Sequence, residues 1–515
     1  MAKKKILNVS ALIVLLTFIT ACSKQAEYTN VIPADASVVA AINVETIYEK
    51  SGINEKENEA TKQKLLNSLK SGMSTTTFEQ LEKIMKNPAE SGIDFTSPIY
   101  HFSSRSLPYS TLLYKVKNED DIRKNIEVLV KEKICQPIQE ENGISYSSIY
   151  GKLVAFNNTS LLMIDAYDEA QIKDAKICTA ALFKQTKENS IHKMGCFKEM
   201  QKKKGDVCFF GSMAAIPSEF GEQIKLGLPA DVNPEEIMII GDMTFDKGKI
   251  TLQAENYSEN NTVKQLIDKQ KQSYKKLNNS FIKYLPASTL LFFNCGVKGD
   301  ALYQSLSKNE TFGKLLPIAE TEKIKELFKS FDGDFSGGLI NVTMNKAPSF
   351  VAYAEAKNAL SLEMLYKNRQ NLGLKKNESI IQLSKNEYVY KNKEMNLFFG
   401  FKTNYIYATN DEMLYKSIGK EVDKSIENTP YIQDMKNKEF FVSLNIESVL
   451  ELPLIKMIMG SGNEEINMYY TLASKISYAS LSVQDNVYKA ELCLKDKEVN
   501  ALKQILLFAK QFAGM

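Results

Sequence analysis

The chain has 515 residues, with 65 basic and 62 acidic side chains, 44% hydrophobic residues and no tryptophan. That near-neutral balance excludes a charge-driven nucleic-acid partner, and arginine is confined to Arg105, Arg123 and Arg369, which leaves little bidentate anion recognition. A chain longer than ~250–300 residues also excludes a single hydrophobic core.

Lys3, Lys4 and Lys5 precede an apolar run from Ile6 to Ile19, which closes on Ile19-Thr20-Ala21-Cys22. The run is shorter than the ~20 residues of a membrane-spanning helix, and small residues follow it as they do at a cleavage site. The pattern resembles a bacterial lipoprotein precursor. The resemblance implies removal of residues 1–21 as a signal peptide, multiple acylation of Cys22 as the first mature residue, and a lipid-anchored place at the outer membrane. Residues 22–30 are then a short tether that holds the folded body near the bilayer. The acidic run that favours surface display is weak in Ser23-Lys24-Gln25-Ala26-Glu27, so the periplasmic face and the cell surface both stay open. Without residues 1–21 the chain carries 62 basic and 62 acidic side chains.

Strands are expected at Val38–Ile42, Ile99–Ser103, Leu112–Val116, Leu153–Asn157, Leu161–Asp165, Ile237–Phe245, Lys249–Glu255, Phe350–Glu355, Leu397–Phe401, Tyr405–Thr409 and Ile476–Val483. Helical periodicity appears at Thr61–Met73, Thr77–Met85, Glu119–Lys131, Asp168–Phe183, Val263–Lys275, Glu320–Phe331, Asp411–Ile418 and Val499–Phe512. Pairs such as Leu153–Asn157 with Leu161–Asp165 have hairpin spacing, too close for parallel neighbours. The expected fold class is α+β, with antiparallel sheet packed against helices.

The sequence also resembles itself. Asp94-Phe95-Thr96 matches Asp334-Phe335-Ser336, and the offset of 240 holds through Lys117-Asn118 and Lys357-Asn358. Pro33-Ala34-Asp35 pairs with Pro286-Ala287-Ser288, Phe156–Glu169 with Phe399–Glu412, Val207–Ser212 with Phe440–Asn445, and Lys264-Gln265 with Lys503-Gln504. Five matches in one order predict two similar halves, 31–277 and 278–515. Asn43-Val44-Glu45 further echoes Asn445-Ile446-Glu447; a helix cap explains these asparagines more cheaply than a shared ligand site.

Beyond Cys22, Cys208, Cys295 and Cys493 lie in apolar runs and read as buried small hydrophobes. Cys135, Cys178 and Cys196 are scattered, with no zinc spacing; export permits a disulfide, and Cys178–Cys196 is the pair to test. His101 sits in a strand-like run and His192 in a lysine-rich, exposed stretch. Neither is joined to a nucleophile motif. Asp332-Gly333-Asp334-Phe335-Ser336-Gly337 resembles the start of a calcium loop, but the twelfth position is Thr343, where glutamate belongs. A turn into a strand at Leu339–Val342 explains it better. No metal site, cofactor or catalytic residue is predicted. Two close carboxylates suffice for glycoside hydrolysis, so the many acids leave that chemistry open.

The leader, Ile32-Pro33-Ala34-Asp35-Ala36, Gly92-Ile93-Asp94-Phe95 and Asp332-Gly333-Asp334-Phe335 together resemble an uncharacterised lipoprotein family of Bacteroidetes-type bacteria. That resemblance implies a lipid-anchored envelope protein of unassigned role. The expected function is non-enzymatic binding of a protein or glycan partner, across the cleft between the halves. The alternative is a carboxylate-based hydrolase of envelope or dietary polymers; a purely structural lipoprotein is a third reading. A deep pocket with two close carboxylates, one of raised pKa, favours the hydrolase. A shallow apolar exposed patch favours a protein partner.

Overall fold

The computed structural model describes residues 27–53, 55–59, 74–216, 232–307, 321–344, 346–371, 373–459 and 464–512. Cys22, the leader and the helix expected over 61–73 lie outside them. The chain forms two compact units, one of residues up to 45 with 62–198, the other of 46–61 with 199 onward.

In the first unit, β1 (Ala36–Ile42), β2 (Ile99–Ser104), β3 (Thr111–Lys115), β4 (Gln139–Glu141), β5 (Ile144–Ile149), β6 (Lys152–Phe156) and β7 (Ser160–Asp165) form a sheet. Their order is β1-β2-β3-β7-β6-β5-β4, each neighbour antiparallel. Helix α1 (Val44–Ser51) follows β1 and belongs to the second unit from residue 46, and α2 (Thr75–Lys86), α3 (Glu119–Lys131), α4 (Glu169–Leu182) and α5 (Gly195–Met200), the last crossing the boundary at 198, come later. Their starts are written locally. Asn118 accepts the Asp120 N–H at 3.0 Å and Asp168 accepts the Gln171 N–H at 2.8 Å, which satisfies amides that a first turn leaves unpaired. Three acids, Glu119, Asp120 and Asp121, then complement the α3 dipole. Ile122 and Ile126 of α3 pack on Val154, Phe156 and Leu161.

In the second unit the strands are β8 (Val207–Ser212), β9 (Met238–Asp246), β10 (Lys249–Tyr257), β11 (Leu291–Lys298), β12 (Phe331–Thr343), β13 (Lys346–Ala356), β14 (Ser379–Ser384), β15 (Glu387–Lys391), β16 (Asn396–Lys402), β17 (Tyr405–Thr409), β18 (Phe440–Asn445), β19 (Ile476–Gln484) and β20 (Val487–Leu494). They make one antiparallel sheet in the order β8-β9-β10-β20-β19-β18-β11-β12-β13-β17-β16-β15-β14. The helices are α6 (Asn261–Lys271), α7 (Gly299–Leu306), α8 (Thr321–Ser330), α9 (Leu360–Lys367), α10 (Glu412–Ser417), α11 (Ile446–Leu450), α12 (Pro453–Met459), α13 (Glu464–Ala473) and α14 (Ala501–Phe512). The main core lies on one face of this sheet, where Phe281 stacks on Tyr353 at 5.2 Å and Phe292 meets Phe441.

The fold class is therefore α+β with antiparallel sheet. One local reading needs correction. No turn precedes Leu339: β12 is extended from Phe331, with a bulge between Phe331 and Phe335. Gly333 takes up that bulge at φ +146°, which side-chain-bearing residues avoid. Asn445 does cap α11, accepting the Ser448 N–H at 3.0 Å. Cys178 and Cys196 are free thiols, as are Cys135, Cys208, Cys295 and Cys493.

Candidate functional site: an apolar sheet face and a cavity

Residues alternate across a strand, so one register defines both faces of a sheet. Phe293 of β11 lies opposite Gly337 of β12 and Val442 of β18; Val442 lies opposite Leu481 of β19. The row continues through Ala490 of β20, Leu252 of β10 and Met243 of β9 to Val207 of β8. On one side of it runs Leu339, Leu291, Leu444, Ala479, Leu492, Ile250 and Phe245. On the other runs Phe335, Cys295, Phe440, Val483, Tyr488, Ala254, Gly241 and Phe209. No charged residue stands in these three rows.

This face is not the buried one. Leu291, Phe335, Leu444, Leu481 and Tyr488 expose 36–43% of their surface. The buried positions are their neighbours on the opposite face: Asn294, Ser336, Ser443, Ser482 and Glu491, each at most 4% exposed, beside Phe292 and Phe441. The buried face thus mixes polar residues with the apolar core, while large apolar side chains also stand on the outward face, where polar residues are usual. The alternation is visible in the sequence, for example in Ser480-Leu481-Ser482-Val483. It was misleading because alternation is ordinarily read with the apolar set inward.

At the β12–β13 end the same face runs beneath α7 and α8. There a cavity of about 230 Å³ is lined by Val297, Gly299, Leu302, Phe328, Phe331, Phe335 and Ala354, with Gly333, Asp334 and Glu355. Phe335 and Ala354 are register partners, so the cavity wall belongs to the exposed face. Tyr303 of α7 and Phe328 of α8 meet at 5.6 Å between ring centres, which joins the two helices above it.

The two carboxylates there are engaged elsewhere. Asp334 accepts N–H bonds from Asn278 at 2.9 Å and Ser280 at 3.0 Å. Glu355 accepts from the Ser280 hydroxyl, the Asp334 N–H at 3.2 Å and Asn278 Nδ2 at 3.4 Å. Burial pushes the Asp334 carboxyl up, the backbone donors oppose it, and Glu355 adds to the rise. The pair ties β12 and β13 to the loop at 278–280. Asp332, the first ligand of the calcium-like pattern, instead pairs with Lys275 at 3.0 Å and Lys357 at 3.7 Å. Among the described residues no cluster of three ligating side chains forms.

A second cavity, of about 560 Å³, has a mixed lining that includes Ser288, Glu447, Glu451, Tyr470, Ser474 and Lys495. In the first unit, His101 Nε2 stands 3.0 Å from Ser110 Oγ. That nucleophile–base contact escapes the sequence because the two residues meet across a hairpin. Neither the apolar face nor either cavity includes it, and no carboxylate hydrogen bond orients the ring among the described residues. His192 corrects the expectation of exposure. It is 7% exposed, 2.9 Å from Thr29 Oγ1 and 3.5 Å from Glu27, with its ring edge on Phe197. The Ile191 N–H donates to Ile32 O at 2.9 Å, and this draws the lysine-rich turn under the start of the fold.

The fold defines an antiparallel α+β protein with an exposed apolar sheet face. The chain belongs to the family described as "Domain of unknown function (DUF4836)", matched over residues 28–502. No curated protein matches it. Among solved structures it is similar to "TP0453" in crystal form III (9% identity, 45% of this chain and 85% of that chain, TM-score 0.26) and crystal form I (11%, 49% and 88%, 0.26).

Proposed function

We propose that this chain is a lipid-anchored envelope protein whose role is binding, and that it holds its partner on the apolar face of the second unit's sheet. The observation that carries the reading is that the sheet is apolar on both faces, with a core around Phe292 and Phe441 on one and Leu291, Leu444 and Leu481 exposed on the other. A glycan needs hydrogen-bonding groups that the three rows lack. Asp334 and Glu355 are close and burial raises the Asp334 pKa, as a hydrolase asks, but Asp334 is 1% exposed and both its oxygens accept backbone N–H bonds. The lipobox ending at Cys22 supports the anchoring, and placement on either face of the outer membrane is compatible with it.

We further propose that residues 31–277 and 278–515 arose by duplication. The neighbour order β1-β2-β3-β7-β6-β5-β4 recurs as β11-β12-β13-β17-β16-β15-β14, and β8-β9-β10 recurs as β18-β19-β20. Thr111 faces Ile164, and Val351, 240 residues on, faces Thr409.

The binding reading is tested by placing a photocrosslinking amino acid at Leu481 in cells, with exposed Lys391 as the control position. An adduct at 481 that Leu444→Glu abolishes is the expected result. Absence of any adduct at 481 overturns the reading.

A further inference from the structure

We infer that the occupant of this face is the acyl chain of a single lipid, with its end buried in the cavity under α7 and α8. The inference rests on the binding reading and narrows it.

An apolar exposed patch alone points to a protein partner, but the scarcity of hydrogen-bonding groups in these rows points to a hydrocarbon. Specific protein interfaces carry about ten direct hydrogen bonds. Across eight strands, the side-chain donors in the three rows reduce to the Tyr488 hydroxyl and the Cys295 thiol. A hydrocarbon chain asks for no hydrogen bond and loses nothing on such a surface. Size decides against a second copy of the chain. The exposed apolar residues stand on five strands, β12, β11, β18, β19 and β20; at ~4.8 Å per strand and ~6.8 Å per row of alternate residues they cover about 500 Å², short of the ~800 Å² per partner that a standard stable interface buries.

The width of the face suits a chain. Four inter-strand steps from β12 to β20, the strands that carry its exposed residues, span about 19 Å, and an acyl chain that fills one leaflet of a ~30 Å hydrocarbon core needs about 15 Å. The face also has a terminus. Phe335 and Ala354 carry it into the 230 Å³ cavity, larger than the ~150 Å³ apolar cavity that admits benzene. Gly299 and Gly333 cannot narrow that space, because a Cβ on either collides with Phe328 O or with the Glu355 carboxylate. The polar head is left at the exposed centre of the sheet, where Leu444, Leu481 and Tyr488 meet solvent.

The test uses residues 23–515, which keep every described residue, and cis-parinaric acid, a fluorescent long-chain fatty acid. The parent should bind one probe per chain, and native mass spectrometry should find one co-purified lipid. Leu481→Glu should weaken binding. Ala354→Phe and Leu302→Trp, which fill the cavity, should each raise the Kd about tenfold, since each buried methylene is worth roughly fourfold. Glu447→Gln, in the other cavity, should bind like the parent. Should both cavity variants fail to fold, a fatty acid with a diazirine at its last carbon decides on the parent chain. Labelling of peptides 299–306 or 328–335 supports the inference, and labelling elsewhere overturns it. Folded cavity variants that bind as tightly as the parent overturn the acyl assignment while the binding reading stands. So does a protein adduct at 481, a dimer dissolved by Leu481→Glu, or flotation with phosphatidylethanolamine–phosphatidylglycerol vesicles, each found without bound lipid. Loss of the 481 adduct and of all probe binding removes both readings.

Discussion

Leu252 of β10 lies directly opposite Ala490 of β20, and 238 residues separate the two. The same interval carries Lys249 to Val487 and Glu255 to Cys493, while the strands pair Lys249 with Cys493 and Glu255 with Val487. A pairing that maps onto itself under one interval is a local two-fold relation, the arrangement of an isologous interface. Two-residue connections, Lys247-Gly248 and Asp485-Asn486, close the β9–β10 and β19–β20 hairpins alike. This geometry supports the proposed duplication. It also explains why the apolar face runs unbroken across β10 and β20.

The two-fold is broken by charge at one place, and this yields a stability prediction. The pair Thr251–Glu491 has Gln253–Lys489 as its counterpart. The Glu491 side chain is 2% exposed and receives Lys249 and Lys489, each at 2.8 Å. Burial alone raises its pKa, but the two lysines outweigh burial and hold it below the usual carboxylate value. Glu491→Ala leaves both lysines without this partner and should cost about 2–3 kcal/mol, read by urea denaturation. Because the folded-state pKa is depressed, this stability is present above the unfolded value of about 4.5 and is lost as pH falls through the folded one. The parent and Glu491→Ala should therefore converge in stability under acid. A gap that stays constant down to acid pH removes the ionic account.

Gly333 gives a steric prediction. At φ +146° its missing side chain leaves room for Glu355, whose Oε2 would stand 1.5 Å from an added Cβ. Gly333→Ala must expel the carboxylate or straighten the bulge, and either uncouples β12 and β13 from Asn278 and Ser280. A loss of about 2–4 kcal/mol is expected. Glu355→Gln, which keeps the shape, should cost clearly less. Equal losses would show that the charge, not the space, is what matters there.

Much of the local structure was legible in the sequence, for reasons of short range. The expected Glu119–Lys131 helix is found with those ends, because Asn118 and three acids write its start and an apolar stripe writes its buried face. The β6–β7 hairpin was legible from spacing alone. β4 and β14 were not, because Gln139–Glu141 is a short exposed edge and Ser379–Ser384 is mostly exposed, so neither carries a burial signal. The candidate site was illegible for a different reason. Which set of an alternating strand faces the core is decided by what packs on each side. Phe281, which shares the core cluster with Phe441, lies 160 residues from it in the chain.

His192 links pH to the first unit. Burial pushes its pKa down, Glu27 pulls it up, and Lys187 and Lys198 push it further down; the net value lies below the usual 6.5. The unfolded chain therefore binds more protons just below neutrality, and stability is lost as pH falls through 6.5 toward the folded value. Differential scanning calorimetry from pH 7.5 to 5.5 should show a downward drift in Tm that His192→Gln removes. An identical drift in the variant would assign the titration to other groups.

The apolar outer face makes a prediction that needs no ligand. Leu481 and Phe441 stand on adjacent strands, β19 and β18, but on opposite faces: Leu481 is 36% exposed and Phe441 fully buried. Ordinary intuition ranks a buried leucine-to-glutamate change as ruinous and assumes that a strand's leucine is inside. Here Leu481→Glu replaces a residue already in contact with water, and its stability should stay within about 0.5–1 kcal/mol of the parent. Phe441→Ala empties a site packed by Phe292 at 6.3 Å and Tyr431 at 6.1 Å between ring centres, and should cost about 3–5 kcal/mol. Guanidinium denaturation of the two variants side by side measures the difference. A Leu481→Glu chain as unstable as Phe441→Ala would mean that the face is covered in solution, and the surface proposed for the acyl chain would then be core.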